Sequence, residues 1–370
     1  MVRNVEAGAE ADRVFEDLRQ GRPRALSRAI SWVENEAVQA PALLEQVYAR
    51  APHPWVIGIT GVGGAVKSSL VPHIARRLAG NGLRVAVLAV DPSSPITGGA
   101  LLGDRIRDAN GEQHPRVFFR SVATRGGQGG LATCVADLVR VAAAAGYDLV
   151  LIETVGAGQS ELAILQVAHT LLLVSAPGLG DDVQAQKAGV MEIADLLVVN
   201  KADRPGADDC AASLRQALQL SDRTAHMAEG VVELPDGALH WHPPVLSTVA
   251  TAATGVPAVC ERLREHRALL ERQGSFAKLN RAHDLQRMQA YFREVVQRRL
   301  QERIDALGLL PRLEAELGRE GGDPLAAARA LADAVVPLAG AAAQLSDAAV
   351  PAAKPSTQEP SPHPTEETFP

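Results

Sequence analysis

The sequence predicts an α/β fold: a mostly parallel sheet with helices on both faces, preceded by a helical cap and followed by a helical arm. Three observations predict it. Short apolar runs of strand length recur between Trp55 and Val249 and alternate with helical stretches, the pattern of strands joined by crossover helices. The first run turns through the glycine-rich segment Gly61 to Ser69 into a helix. After Gly255 the strand runs stop and long helical stripes replace them.

The elements follow in order. Residues 1–51 form the cap, with Leu18, Leu26, Ile30, Val33, Leu44 and Val47 at helical spacings between Asp12 and Ala51, broken at Gly21-Arg22-Pro23. Residues 52–255 form the sheet domain. Its first strand is Trp55–Thr60, and a helix over Leu70–Leu78 is closed by Gly80 and Gly82. Further strands are expected at Arg84–Val90, Val117–Arg120, Leu149–Glu153, His169–Ser175, Leu196–Asn200 and Val245–Thr248. Residues 256–335 form the arm. One stripe runs through Val256, Val259, Leu263 and Leu270, and a longer one through Leu279, Leu285, Met288, Phe292, Val295, Leu300 and Ile304. Such an arm packs on the body or on a second copy, so a homodimer is expected. The tail, 336–370, is Ala, Pro, Ser and Glu, which cannot bury a core, and is expected to be disordered.

Composition narrows the function classes. A chain of 370 residues with 46% hydrophobic residues has ample material for a core. The net charge of −6 gives no electrostatic case for nucleic acid or an anionic membrane surface. Cys134, Cys210 and Cys260 are far apart, which suggests neither a disulfide framework nor a zinc site. No run approaches the roughly 20 apolar residues of a membrane span. Met1 to Glu16 lacks an apolar segment like that of a secretory signal. A cytoplasmic protein is expected.

The segment Gly61-Val62-Gly63-Gly64-Ala65-Val66-Lys67-Ser68-Ser69 is a phosphate-binding loop with one residue changed. In the pattern G-x-x-x-x-G-K-[ST], glycines let backbone N–H groups wrap the phosphates, the Lys reaches the terminal phosphates, and the hydroxyl binds Mg²⁺. Gly61, Lys67 and Ser68 conform. Val66 stands at the second glycine, where the backbone approaches a phosphate closely or takes an unusual dihedral. Strand, loop and helix in this order aim a helix N-terminus at the anion and predict the core of a P-loop NTPase.

Asn200-Lys201-Ala202-Asp203 ends an apolar strand. The Asp203 carboxylate can accept from both the ring N–H and the exocyclic amine of guanine, while Asn200 braces the loop and the Lys201 stem covers the base. Adenine lacks that pair of donors, and sites built on such bonds discriminate by roughly 10⁴ or more. Glu153, closing the run Leu149 to Ile152, is a strand-end acid able to hold Mg²⁺, and Gly156 can meet the terminal phosphate. Gln159 and Glu161 either position water or simply begin a helix. Asp91 and Asp104 fall at the carboxyl edge of the sheet, where ligands bind in open α/β folds. They are candidates for metal or switch contacts, with Asp91 alternatively an Asx turn before Pro92. The loop Arg125 to Gly130 either meets a partner or phosphate or serves as a hinge.

Val90-Asp91-Pro92-Ser93-Ser94-Pro95, Gly98 to Arg107, Glu153-Thr154-Val155-Gly156, Gly158-Gln159-Ser160-Glu161, Pro177 to Ala185 and Asn200 to Asp208 together resemble the methylmalonyl-CoA mutase-associated GTPases, the MeaB/ArgK family, over residues 12–305. Members of that family are homodimeric P-loop GTPases of the SIMIBI class. They serve adenosylcobalamin-dependent methylmalonyl-CoA mutase by gating cofactor loading and protecting the mutase from inactivation. The resemblance implies GTP and GDP as ligands, with phosphates held by Gly61, Val62, Gly63, Gly64, Ala65, Val66, Lys67, Ser68 and Ser69. It implies Mg²⁺ near Ser68, Asp91, Asp104 and Glu153, and the base at Asn200, Lys201 and Asp203, with Ser247, Thr248 and Val249 beside it. Lys67, Asp104 and Glu153 are the implied catalytic groups, and Asp181 to Lys187 is the implied partner-responsive switch. The family loop reads Gly-x-Pro-Gly-Ala-Gly-Lys-Ser-Thr, so Gly63, Val66 and Ser69 depart from it. Val66 keeps a second reading open, a nucleotide-impaired scaffold that binds the mutase without turnover. A metal-insertion GTPase is disfavoured by scattered histidines, and a small-molecule kinase by the guanine-reading loop.

Overall fold

The computed structural model describes residues 2–61, 65–92, 114–124, 130–154, 164, 166–178, 191–221, 229–233, 238–311, 314 and 323–335. Three helices come first: α1 Val2–Arg19, α2 Pro23–Glu34 and α3 Ala40–Arg50. The break expected at Gly21-Arg22-Pro23 separates α1 from α2. Pro23 opens α2, where a missing N–H costs nothing. The first helix begins well before Asp12.

Among the described residues the sheet has seven strands, all paired in parallel, in the order β3-β2-β4-β1-β5-β6-β9. These are β1 Trp55–Gly61, β2 Val85–Pro92, β3 Val117–Thr124, β4 Leu149–Thr154, β5 Thr170–Ser175, β6 Leu196–Asn200 and β9 Val245–Thr248. Each expected strand is present, within four residues at either end. The largest extension is β3, which runs on to Thr124 because β2 continues to Pro92 beside it. Two strands had no apolar run to announce them: β7 Gly230–Glu233 and β8 Leu239–His242 form a separate antiparallel pair.

The central strands are buried on both sides, so they read as continuous apolar runs. One face carries Trp55, Ile57, Ile59, Leu149, Leu151, Leu172, Val174, Leu196 and Val198. Helix α4, Lys67–Gly80, covers it with Leu70, Val71, Ile74 and Leu78. Helix α7, Val256–Arg272, adds Val256, Val259, Cys260 and Leu263 to the same core. On the other face α5, Gly130–Ala144, packs against β4 and receives α2 and α3 on its outer side. There Gly58 has a steric reason: a Cβ would lie 2.1 Å from Ile164 Cγ2.

Helix α6, Ala207–Ser221, follows β6, while α8, Ser275–Leu307, and α9, Pro324–Val335, end the described chain. By density of contacts the chain divides into two compact units, residues 1–290 and 291–370. Among the described residues no helix is long and apolar enough to cross a membrane.

Candidate nucleotide site

Strand β1 delivers the chain to Gly61, whose φ is +148°. A Cβ there would sit 1.9 Å from the Val174 carbonyl oxygen of the neighbouring strand. Only glycine allows the chain to leave the sheet at this point. Val62, Gly63, Gly64 and Asp104 lie outside the described residues, as do Gln159, Glu161, the 125–129 loop, the Asp181 to Lys187 segment and the tail. The loop reappears at Ala65, fully buried, and at Val66, which precedes α4 with φ 57° and ψ 48°. That is the left-handed region, where a β-branched residue is an outlier costing about 1–2 kcal/mol. The position therefore demands glycine geometry from the backbone itself, before any ligand is considered.

Lys67 begins α4 and is buried, and its Nζ donates to the Gly61 carbonyl at 2.5 Å, spanning the loop. Ser68, next along, is exposed in the first turn, and Ser69 donates its N–H to Val66 O at 3.2 Å. Glu153 is buried near the end of β4, laterally paired with Ile59 of β1 and Ala89 of β2. Beside it the Thr154 and Thr60 hydroxyls, neither singled out by sequence, lie 3.5 Å apart at the ends of adjacent strands. Asp91 stands two residues beyond Ala89, in register with Ala123 of β3. Carboxylate and hydroxyl oxygens such as those of Glu153 and Ser68 are hard donors of the type Mg²⁺ prefers.

Asn200 connects the two halves of the site. Buried at the end of β6, it donates from Nδ2 to the Ala65 carbonyl at 3.0 Å. Its Oδ1 accepts from Thr248 Oγ1 at 3.2 Å and from the Ala250 N–H at 3.1 Å. One side chain thus spans the phosphate loop, the end of β6 and the turn after β9. Lys201 takes a left-handed φ of 58°, and the Ala202 N–H donates to Thr248 O at 3.0 Å. Asp203 is left exposed beyond this brace, and Ser247 is exposed while Thr248 is buried. The Val249–Thr254 bridge and Gly255 at φ 78° close the turn. The brace was legible as an asparagine at a strand end, but its reach to Ala65 and Ala250 was not, because both partners are backbone groups.

All three cysteines are unpaired, and burial pushes the Cys134 and Cys260 thiols up to about 12, so neither is a nucleophile at neutral pH. No group of three His, Cys, Asp or Glu residues suited to a metal occurs among the described residues.

The family model described as methylmalonyl Co-A mutase-associated GTPase MeaB matches residues 26–305. A Pyrococcus abyssi protein named as a GTPase is 44% identical over 271 residues, 73% of this chain and 80% of its own length. The fused isobutyryl-CoA mutase of Geobacillus kaustophilus is 40% identical over 217 residues, 56% of this chain but 20% of that protein. Among solved structures, LAO/AO transport system kinase superposes with a TM-score of 0.59 at 24% identity, over 88% of this chain and 97% of that one. That likeness establishes the fold alone.

Proposed function

This chain belongs to the MeaB family of methylmalonyl-CoA mutase-associated GTPases, and from that premise we propose that it binds and hydrolyses GTP as a chaperone of an adenosylcobalamin-dependent methylmalonyl-CoA mutase. It assists cofactor loading and protects the mutase, acting as a homodimer in the cytoplasm. The observation that carries the nucleotide reading is the Asn200 brace, which fixes the base-reading turn to the phosphate loop through Ala65 O at 3.0 Å. A relative in which a matching segment is fused to an acyl-CoA mutase supports the choice of partner.

In this reading Asp203 accepts from guanine's ring N–H and exocyclic amine, and Lys201 covers the base with its stem. The backbone around Gly61 to Ser69 surrounds the phosphates at the α4 N-terminus. Lys67 exchanges the Gly61 carbonyl for phosphate oxygen, so its short bond holds the ammonium in reserve close to where charge arrives. Ser68, Asp91, Asp104 and Glu153 would hold Mg²⁺, which supplies neutralisation of phosphate charge. Val66 supports the second reading, a nucleotide-impaired scaffold that binds the mutase without turnover, because its left-handed backbone carries a branched side chain at the loop's sensitive point.

Nucleotide titration with Mg²⁺ tests the assignment. GDP and GTP should bind at least about 100-fold tighter than ATP, within what a paired hydrogen-bond site can discriminate. Asp203→Asn should erase the difference. With a methylmalonyl-CoA mutase turning over in adenosylcobalamin, the chain plus GTP should slow inactivation and the chain plus ATP should not. Equal affinity for ATP and GTP would overturn the base assignment, and unchanged inactivation would overturn the chaperone role.

A further inference from the structure

Helix α8 is built inside out over its first turns. Its exposed side carries Leu285 and Met288, each 53% exposed, Phe292 at 66% and Val296 at 37%, a stripe at steps of three and four. Its buried residues, Asn280 and Arg287, are polar, and the exposed Asp284 adds a third polar contact to the body. Asn280 Oδ1 accepts from His169 Nε2 at 2.8 Å, and Asp284 Oδ2 accepts from His53 Nε2 at 2.9 Å. Arg287 grips Asp137 of α5 through Nε at 2.9 Å and Nη2 at 2.6 Å, with the Tyr48 hydroxyl on the same carboxylate at 2.8 Å. Only Phe276, stacked on His169 at 4.3 Å, adds apolar area among these contacts. A helix docked through ion pairs gains little over the same groups in water, since desolvation offsets their attraction. Gly274, with φ 66°, gives a turn between α7 and α8 at which the helix can pivot.

His169 is the keystone of this contact. Its Nδ1 accepts the Val56 N–H at 3.0 Å, so the proton must reside on Nε2, where it is donated to Asn280. A doubly protonated ring has no lone pair for Val56 and must break that bond. The groups facing the ring repel a second proton further: His283 of α8, His53 of the segment before β1, and Arg267 of α7. His53 in turn faces Arg140 of α5 as well as Asp284, and His283 faces Asp284 and His53.

We propose that the first turns of α8 form a proton-released latch, docked on the sheet body while His53, His169 and His283 are neutral and freed as those rings take up protons, with the sheet remaining folded.

The sign follows from the docked environment. Burial holds His169 down to about 3, from 6.5, and burial lowers His53 and His283 as well. The docked helix therefore binds fewer protons than the released one. Docking is at full strength above pH 6.5 and is lost as pH falls from there toward 3. Between pH 7.5 and 5.5, return of His169 to its ordinary value on release multiplies the open population by about ten-fold, and His53 and His283 act in the same direction.

Hydrogen exchange of the full chain, corrected for intrinsic pH effects, reads this directly. Protection over 276–288 should fall at least about ten-fold between pH 7.5 and 5.5 while 55–60 and 149–154 keep theirs. His169→Gln can still accept from Val56 and donate to Asn280 but cannot titrate, so with His283→Gln it should remove most of the pH dependence. Protection over 276–288 that does not change with pH, or that falls only together with the sheet strands, overturns the latch. So does a double variant that keeps the full pH response. If that variant does not fold, the comparison of segments in the unmodified chain decides alone.

Discussion

At the level of single residues, Val66 is where sequence and structure agree most closely. The pattern marks it as a displaced glycine, and the backbone takes φ 57° there regardless. Strain of this kind amounts to about 1–3 kcal/mol, or roughly ten- to hundred-fold in affinity if nucleotide binding tightens the loop further. Val66→Gly should therefore tighten GTP binding and raise hydrolysis by about ten-fold or more. It should also raise the melting temperature slightly, since about 1–2 kcal/mol of left-handed strain is relieved against a smaller entropy penalty for glycine. Lys67→Ala in that background should remove the gain in binding. If affinity, turnover and stability are all unchanged by Val66→Gly, the branched side chain is accommodated and the loop is not impaired. Among the candidate site residues, Glu153 and Asn200 stand out in the sequence as polar residues closing apolar strands, and Lys67 as the lysine that opens α4 after the glycine-rich loop. The Thr60–Thr154 pair and the amide of Ala250 do not, since a strand-end threonine and a backbone N–H look like any other.

At the level of elements, the sheet was readable for a reason that also explains what was missed. A parallel strand covered on both faces must be apolar throughout, as β1, β4, β5 and β6 are, so an uninterrupted run bounded by polar residues identifies it. The β7–β8 pair is only four residues on each side, and β8 mixes His240, Trp241 and His242, leaving neither a run nor an alternation. Periodicity also names a helix face without naming its partner. The stripe Val256, Val259, Leu263 was visible, yet only the structure shows it completing the core beside α4. Glycine inside a buried strand is a further signal that sequence leaves mute. At Gly58 the missing side chain makes room for Ile164, Ala168 and Leu171, with the nearest atom 2.1 Å from a built Cβ. Gly58→Ala should overpack this face and destabilise the chain by about 1–3 kcal/mol, despite alanine's better fit to ordinary backbone. Denaturant unfolding measures it, and a variant as stable as the parent would show that Ile164 moves aside freely.

For the whole molecule, the decisive feature is apolar surface placed where a complete sheet domain has no use for it. Scattered exposed apolar residues are ordinary, but Leu285, Met288, Phe292 and Val296 share one side of a single helix. None of these four side chains takes part in the polar contacts of Asn280, Asp284 and Arg287, so covering them would not break those contacts. A second copy is an economical cover, because a two-fold pairing sets the same stripe against itself and removes both from water. The chain should therefore sediment and scatter light as a dimer at micromolar concentration. Met288→Glu with Phe292→Glu should yield a folded monomer whose GDP affinity is close to that of the parent, since neither side chain is buried within the chain. Removing 336–370 should leave the dimer intact. A monomeric parent, or a dimer indifferent to both glutamates, would exclude this stripe as the pairing surface, whereas a variant that unfolds would mean the stripe supports the chain's own fold.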